Sequence, residues 1–135
     1  MSFEETMRLW NDAVTGGRVH PKLRIVAKTA SYTVTTDDFG TVLTTRGAGG
    51  AITFTLPAAS AINKNNWVLF INIADQNMII AGATSGLVAF NDLTADSIAF
   101  QQAGEKIGGA FLAICDGTSW IVVPLATEVQ TIAIT

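Results

Sequence analysis

Residues 51–57, Ala51-Ile-Thr-Phe-Thr-Leu-Pro57, carry the pattern that decides the fold class. Apolar side chains occupy every second position from Ile52 to Leu56, and threonines lie between them. A period of two is that of a β-strand with one face in the core and the other toward solvent. Proline ends such a run because it has no backbone N–H to donate to a neighbouring strand. The segment therefore predicts a half-buried strand.

Similar segments lie on both sides of this strand. β-Prone runs occur at 32–36, 41–45, 67–73, 78–81, 110–115 and 120–123. The run 67–73 is apolar almost throughout, which predicts a strand buried on both faces. Turn-forming residues at 47–50, 75–77 and 116–119 predict hairpin loops between successive strands. Short strands at this spacing, with no second long helix, predict an all-β fold, a short-strand sandwich or barrel.

Composition indicates a protein that assembles with other chains. Only 14% of the residues are charged, against about a quarter in a typical soluble domain. Apolar residues make up 49%, more than a core of this size can bury, so part of the apolar surface is expected to face other chains. Residues 1–30 hold five basic and three acidic groups, whereas residues 31–135 hold three and eight. We therefore divide the chain into an N-terminal arm (1–30), a β body (31–124) and a β-prone C-terminal tail (125–135).

The N-terminal arm begins with the signature of a helix. Ser2 and Glu5 have the spacing of a capping box, and the glycines at 16–17 end the helix. An extended basic connector, 18–28, follows. The expected partner-binding residues of the arm are the apolar stripe Phe3, Met7, Trp10 and Val14 and the cations Arg18, Lys22, Arg24 and Lys28. The stripe packs either on the chain's own body or on a neighbouring subunit, and the residues alone leave both open.

Three further segments are less regular. Residues 58–66 predict a polar loop or a single helical turn, and 82–109 a looser stretch of small residues. The alternating tail is a candidate for pairing with the sheet edge of another subunit. No apolar run reaches the ~18 residues of a membrane span, and the N-terminus lacks the features of a signal peptide. We therefore expect no membrane partner and synthesis in the cytoplasm.

The sequence offers no set of catalytic or metal-binding groups. His20 is the single histidine, and Cys115, at the end of an apolar strand, is expected to be a small buried hydrophobe. The acidic pair at 37–38 fits a turn better than a calcium loop, and 47–50 opens a strand rather than the helix a phosphate loop needs. A pI near 4.9 argues against nucleic acid. We expect no enzyme, no metal, no cofactor and no small-molecule substrate; a small glycan lyase would rest on fold analogy alone.

The order of these motifs resembles a β module of tailed-bacteriophage virion proteins. It runs over about 31–124 as Tyr32-Thr-Val-Thr, Asp38-x-Gly40-x-Val42, a glycine-rich turn, Ile52-Thr-Phe-Thr-Leu-Pro57, Trp67-Val-Leu-Phe-Ile-Asn with Asp75-Gln, and Cys115-Asp-Gly-Thr-Ser-Trp120. The nearest kinds are head decoration (cement) proteins and segments of tail fibres. The resemblance implies no catalytic residues, a homotrimer, and attachment to the major capsid protein lattice.

The short chain, without shaft repeats or coiled-coil heptads, favours a decoration protein over a fibre. The expected location is then the capsid surface of the virion, with the arm gripping the shell and the protein stabilising it. The alternative is a tail-fibre, tail-tip or baseplate adhesin, in which the arm inserts into the tail and loops such as 47–50 or 82–92 touch a host glycan.

Overall fold

The computed structural model describes residues 2–7, 22–126 and 130–135. Residues 3–7 are helical, and the remaining regular structure is almost entirely β. Within the described residues the strands are β1 (Arg24–Ala27), β2 (Tyr32–Thr33), β3 (Thr41–Thr44), β4 (Ile52–Thr55), β5 (Trp67–Ile71), β6 (Met78–Ala81), β7 (Leu87–Ala89), β8 (Asp92–Ala95), β9 (Ser97–Phe100), β10 (Ala110–Cys115), β11 (Trp120–Leu125) and β12 (Ile132–Ile134). They form two sheets, which confirms the predicted all-β class as a sandwich with a short N-terminal helix.

The first six strands alternate between the two sheets. One sheet has the order β1-β3-β5-β10-β11-β7-β8 and the other β12-β9-β6-β4-β2. Strands β1, β3 and β5 are mutually parallel, as are β2, β4 and β6, so the chain winds through this part as a coil. The later strands β9, β10, β11 and β12 extend both sheets by antiparallel pairing.

This winding corrects two predicted hairpins. The segments 47–50 and 75–77 do not join paired neighbours, because each connects strands that belong to opposite sheets. Packed sheets lie about 10 Å apart, a gap that a tight hairpin turn does not bridge. The hairpin predicted at 116–119 is confirmed, with Cys115 of β10 directly opposite Trp120 of β11.

Other expectations also change. Only two residues of 32–36 form a strand, and Thr36–Asp38 forms a 3-10 turn. The looser stretch 82–109 contains β7, β8 and β9. The C-terminal tail pairs with β9 of its own chain as the edge strand β12, and it places Ile132 and Ile134 against the core. One side of β9 pairs with β6, and its other side is available for β12. In this position Ile132 and Ile134 lie beside the core-facing residues Phe100 and Ile98 of β9.

The core lies between the sheets and is built on aromatic contacts. The Phe54 and Phe70 rings, one from each sheet, lie 5.0 Å apart between centroids, and Phe100 stacks on Phe111 at 4.4 Å. The indole N–H of buried Trp120 donates to the carbonyl oxygen of Pro57 over 2.7 Å. These contacts fix the two sheets against each other. No helix in the described part of the chain is long and apolar enough to cross a membrane.

Candidate interaction surfaces

The outer face of the seven-stranded sheet is apolar. In strand β5 only Val68 and Phe70 point into the core, so the predicted burial of 67–73 on both faces is wrong. The register places Leu69 in an outward row that crosses five strands. This row consists of Ile25, Val42, Leu69, Leu112 and Val123.

Two further rows flank the first. One consists of Val88, Ile121, Ile114 and Trp67, and the other of Leu125, Ala110, Ile71, Thr44 and Ala27. We call these fourteen residues the apolar face. None is charged, and Thr44 is the single polar member. Ile25, Ala27, Val123 and Leu125 are exposed, seven others are half-buried, and Val42, Thr44 and Ala110 are buried.

A hollow interrupts the apolar face. It has a volume of about 370 Å³ and is lined by Asn65, Trp67, Leu112 and Ile114. Three of these side chains belong to the apolar face itself, on adjacent strands β5 and β10. The hollow therefore offers a site for an aliphatic or aromatic side chain from another molecule.

The outer face of the five-stranded sheet differs in character. Its outward positions in β4 are Thr53 and Thr55, which lie opposite Ile79 and Ala81 of β6, and the next outward positions in β9 are Ala99 and Ser97. Alternation of apolar and polar residues is the normal pattern for a sheet with one solvated face. The seven-stranded sheet departs from this pattern, so its apolar face requires an explanation beyond folding.

A second apolar feature is the N-terminal helix. The backbone N–H of Glu5 donates to the Ser2 hydroxyl oxygen over 3.2 Å, as the predicted cap requires. Phe3 is 80% exposed and Met7 43%. The other predicted arm residues Trp10, Val14 and Arg18 lie outside the described residues.

The basic connector is partly engaged with the chain's own body. Arg24 donates from its guanidinium to the carbonyl oxygen of Asp37, and the Lys28 ammonium lies 3.8 Å from the centre of the Tyr32 ring. Lys22 is exposed. Two of the predicted partner-binding cations, Arg24 and Lys28, therefore contact the body of their own chain.

A buried carboxylate organises the turn beside these cations. Asp38 accepts hydrogen bonds from the Tyr32 hydroxyl at 2.7 Å and from the Thr35 backbone N–H at 2.8 Å. Burial raises the pKa of Asp38, but these hydrogen bonds, with the charge of Lys28, outweigh it and hold the pKa below its ordinary value. The hydrogen bond to Asp38 in turn raises the pKa of Tyr32. The hydrogen bonds of Asp38 therefore come from nearby residues of the same chain, which agrees with the predicted turn.

The thiol and carboxylate groups described below do not form a common site. Cys115 is buried and free of disulfide bonds, as expected. Asp116 caps the β10–β11 turn, where backbone N–H groups of Ser119 and then Thr118 lower its pKa. Among residues 2–7, 22–126 and 130–135, no group of three or more histidine, cysteine or acidic side chains could hold a metal ion.

One exposed aromatic residue lies at the end of the sandwich. Phe90 is 55% exposed and has a φ of 38°, and the next residue, Asn91, also has a positive φ of 62°. Together they form the tight turn between β7 and β8. The sequence predicts a looser stretch of small residues over 82–109, whereas the structure forms a defined two-residue turn at this point.

The apolar face could have been found from the sequence. Residues 67–71 and 110–115 are apolar at both odd and even positions, and for 67–73 the sequence predicts burial on both faces. The alternative, that one of the two sides is covered by another molecule, produces the same pattern. Neither the models of known protein families nor the curated proteins contain a match to this chain.

Proposed function

We propose that this chain is a virion structural protein, a capsid decoration (cement) protein that binds the phage head surface as an oligomer and stabilises it. The observation that carries the proposal is the apolar face of the seven-stranded sheet. A surface of this kind is expected in a protein that functions within an assembly, where other protein chains cover it. The resemblance of 31–124 to phage virion β modules supplies the capsid as the expected partner.

The physics of a repeating lattice favours this role. A decoration protein meets the same contact many times on one shell, so modest individual contacts sum to stable attachment once several copies are joined. The exposed Phe3 and Met7 give the arm an apolar contact for the shell. Together with Trp10, Val14, Arg18 and Lys22, these two residues form the proposed shell-binding set. Arg24 and Lys28 belong to the set as well, and they lie in and directly after the edge strand β1.

A structural role also suits the ionisable groups. Among the carboxylates of the described residues, Asp38 and Asp116 have a shifted pKa, and in both the pKa is lowered by hydrogen bonds from residues nearby in the sequence. General acid–base catalysis at neutral pH usually requires a carboxylate pKa that is raised. The shifts therefore support a stabilising function for these groups.

The second candidate is a tail-fibre, tail-tip or baseplate adhesin. It is favoured by Phe90, whose exposed ring is held in the β7–β8 turn and presents an apolar plane to solvent. Exposed aromatic rings are common contact residues at binding surfaces because they bury a large area with few rotatable bonds. In this role the turn would face a host glycan.

Electron microscopy of mixtures tests both candidates. The purified protein is mixed with undecorated capsids and, separately, with tails of the same virus. Density on the capsid face is the result expected of a decoration protein. Density on tails alone would replace that proposal with the adhesin, and density on neither would overturn both.

A matched pair of variants tests the arm. Phe3→Ser combined with Met7→Ser should abolish capsid decoration, because it removes the exposed apolar contact of the helix. Leu93→Ser combined with Ile107→Ser is the control, since it also removes two exposed apolar side chains but lies elsewhere. Circular dichroism confirms that both variants keep the β body folded. Full decoration by the arm variant would exclude the helix as the anchor.

A further inference from the structure

The apolar face has the size of a large apolar surface patch. Each outward residue covers about 33 Å², from a strand spacing of about 4.8 Å and a repeat of about 6.8 Å per two residues. The eleven residues of the face that are not buried therefore cover on the order of 360 Å². This area lies within the range of about 300–600 Å² typical of the largest apolar patch of a monomer, which is often functional. Two such faces in contact bury about 700 Å², so the residues at their rims must supply the rest of the ~1,000 Å² expected of a biological interface.

The same face holds both parts of a self-complementary contact. The hollow at Trp67, Leu112 and Ile114 can receive a side chain, and exposed aliphatic residues such as Val123 and Leu125 lie on neighbouring strand β11. A symmetric pair requires complementary features on one and the same patch, because each copy presents it to the other. Another sheet is also the natural partner of a sheet face, since two sheets pack at about 10 Å with interleaved side chains.

Charge points to the same partner. The residues from 31 to 135 hold eight acidic and three basic groups, so two bodies repel one another over most of their surfaces. The apolar face carries no charge, which makes it the surface on which two like-charged copies approach without burying an ion. A partner recognised by its charge would have no group to bind there.

We propose that a second copy of this chain covers the apolar face, so that two seven-stranded sheets pack face to face as a symmetric pair. This contact goes beyond capsid attachment and does not depend on it. It also differs from the homotrimer implied by the resemblance, because a flat face shared by two identical sheets joins copies in pairs. Oligomeric state in solution therefore tests it without any capsid.

Substitutions on the apolar face provide the test. The full-length protein and its variants are examined by sedimentation velocity and light scattering from micromolar to submillimolar concentration. Ile25→Lys places a charge on an outward residue that is 64% exposed, so the strand should still fold. Ile107→Lys is the matched control, because it replaces the same residue type at 61% exposure outside the face. Leu112→Lys, at the hollow, is the second variant, with circular dichroism to check its fold.

The expected result is a dimer whose dissociation constant rises at least about tenfold with Ile25→Lys, and more with Leu112→Lys, but does not change with Ile107→Lys. A monomer at the highest concentration would overturn the proposal and leave the face to the capsid or to the chain's own N-terminal segment. A trimer unaffected by both face variants would overturn it equally. Because capsid decoration is measured separately, the two proposals can fail independently.

Discussion

At the scale of single residues, the turn around Asp38 shows how a buried charge is stabilised. Its carboxylate accepts three hydrogen bonds, from the Tyr32 hydroxyl, the Thr35 backbone N–H and the Thr35 hydroxyl. The nearby Lys28 ammonium also lies over the Tyr32 ring. An acidic pair in the sequence predicts a turn, but it does not predict which of the two carboxylates is buried. That choice depends on Tyr32, whose position is fixed by pairing with β4.

We expect Asp38→Asn to make stability less dependent on pH. The pKa of Asp38 is lowered in the folded protein, so its contribution is present above the unfolded-state pKa and is lost as pH falls through the folded-state value. The variant should lose about 1–2 kcal/mol at neutral pH, where charged acceptors make the stronger bonds, and progressively less as the pH falls below the unfolded-state pKa of about 3.9. Urea unfolding at a series of pH values measures this. Asp37→Asn, at the exposed neighbour, is the control. An equal loss at every pH would show that the charge is not what matters.

At the scale of elements, a glycine allows a close approach between the two sheets. A Cβ added to Gly109, just before β10, would lie 2.7 Å from the ring of Phe100. That ring is fully buried and stacked on Phe111, so it has no free space into which to move. The glycine therefore sets the distance at which the start of β10 crosses β9.

Gly109→Ala should consequently destabilise the fold by about 1–3 kcal/mol, the usual cost of overpacking a core. Gly49→Ala is the matched control, because a Cβ there meets no atom within 4 Å. The control should be neutral or slightly stabilising, since alanine reduces the freedom of the unfolded chain. Urea unfolding of both variants measures the difference. If both proved equally stable, the Phe100 ring would have to be able to shift, and the packing described here would be wrong at that point.

The strands were easier to predict than their partners. The bounds of β4 and of the β10–β11 hairpin follow from local alternation and from the turn at 116–119. The parallel pairing of Val42 with Leu69 joins residues far apart in the chain, and no local pattern encodes it. Turn residues show where the chain bends, but not whether it returns to the same sheet or crosses to the other. The predicted hairpins at 47–50 and 75–77 were wrong for this reason.

The same limit applies to the candidate site. Hydrophobicity predicts that a side chain is removed from water, but it does not distinguish removal by the chain's own core from removal by another chain. Leu69 and Phe70 are adjacent and equally apolar, yet only Phe70 contributes to the core. Only the register of the strands separates them, by placing Leu69 in the outward row with Leu112.

At the scale of the whole molecule, the alternation of strands between sheets makes the sandwich one cooperative unit. The chain crosses from one sheet to the other at every step from β1 to β6, so neither sheet is built from one continuous segment. The contacts of Phe54 with Phe70 and of Phe100 with Phe111 also cross the interior. Unfolding one sheet would expose the inner face of the other, and an open apolar face of that size would not remain stable in water.

Phe54→Leu should therefore destabilise both sheets together, by about 1–3 kcal/mol, although Phe54 belongs to the five-stranded sheet. In a Trp10→Phe background, tryptophan fluorescence follows the seven-stranded sheet through Trp67 and Trp120, and far-ultraviolet circular dichroism follows all strands. In urea the two signals should change in one transition, and the variant should move both midpoints equally. A fluorescence midpoint that stayed in place while the dichroism midpoint fell would mean that the seven-stranded sheet is stable alone. The apolar face would then belong to a separately folded layer rather than to one side of a sandwich.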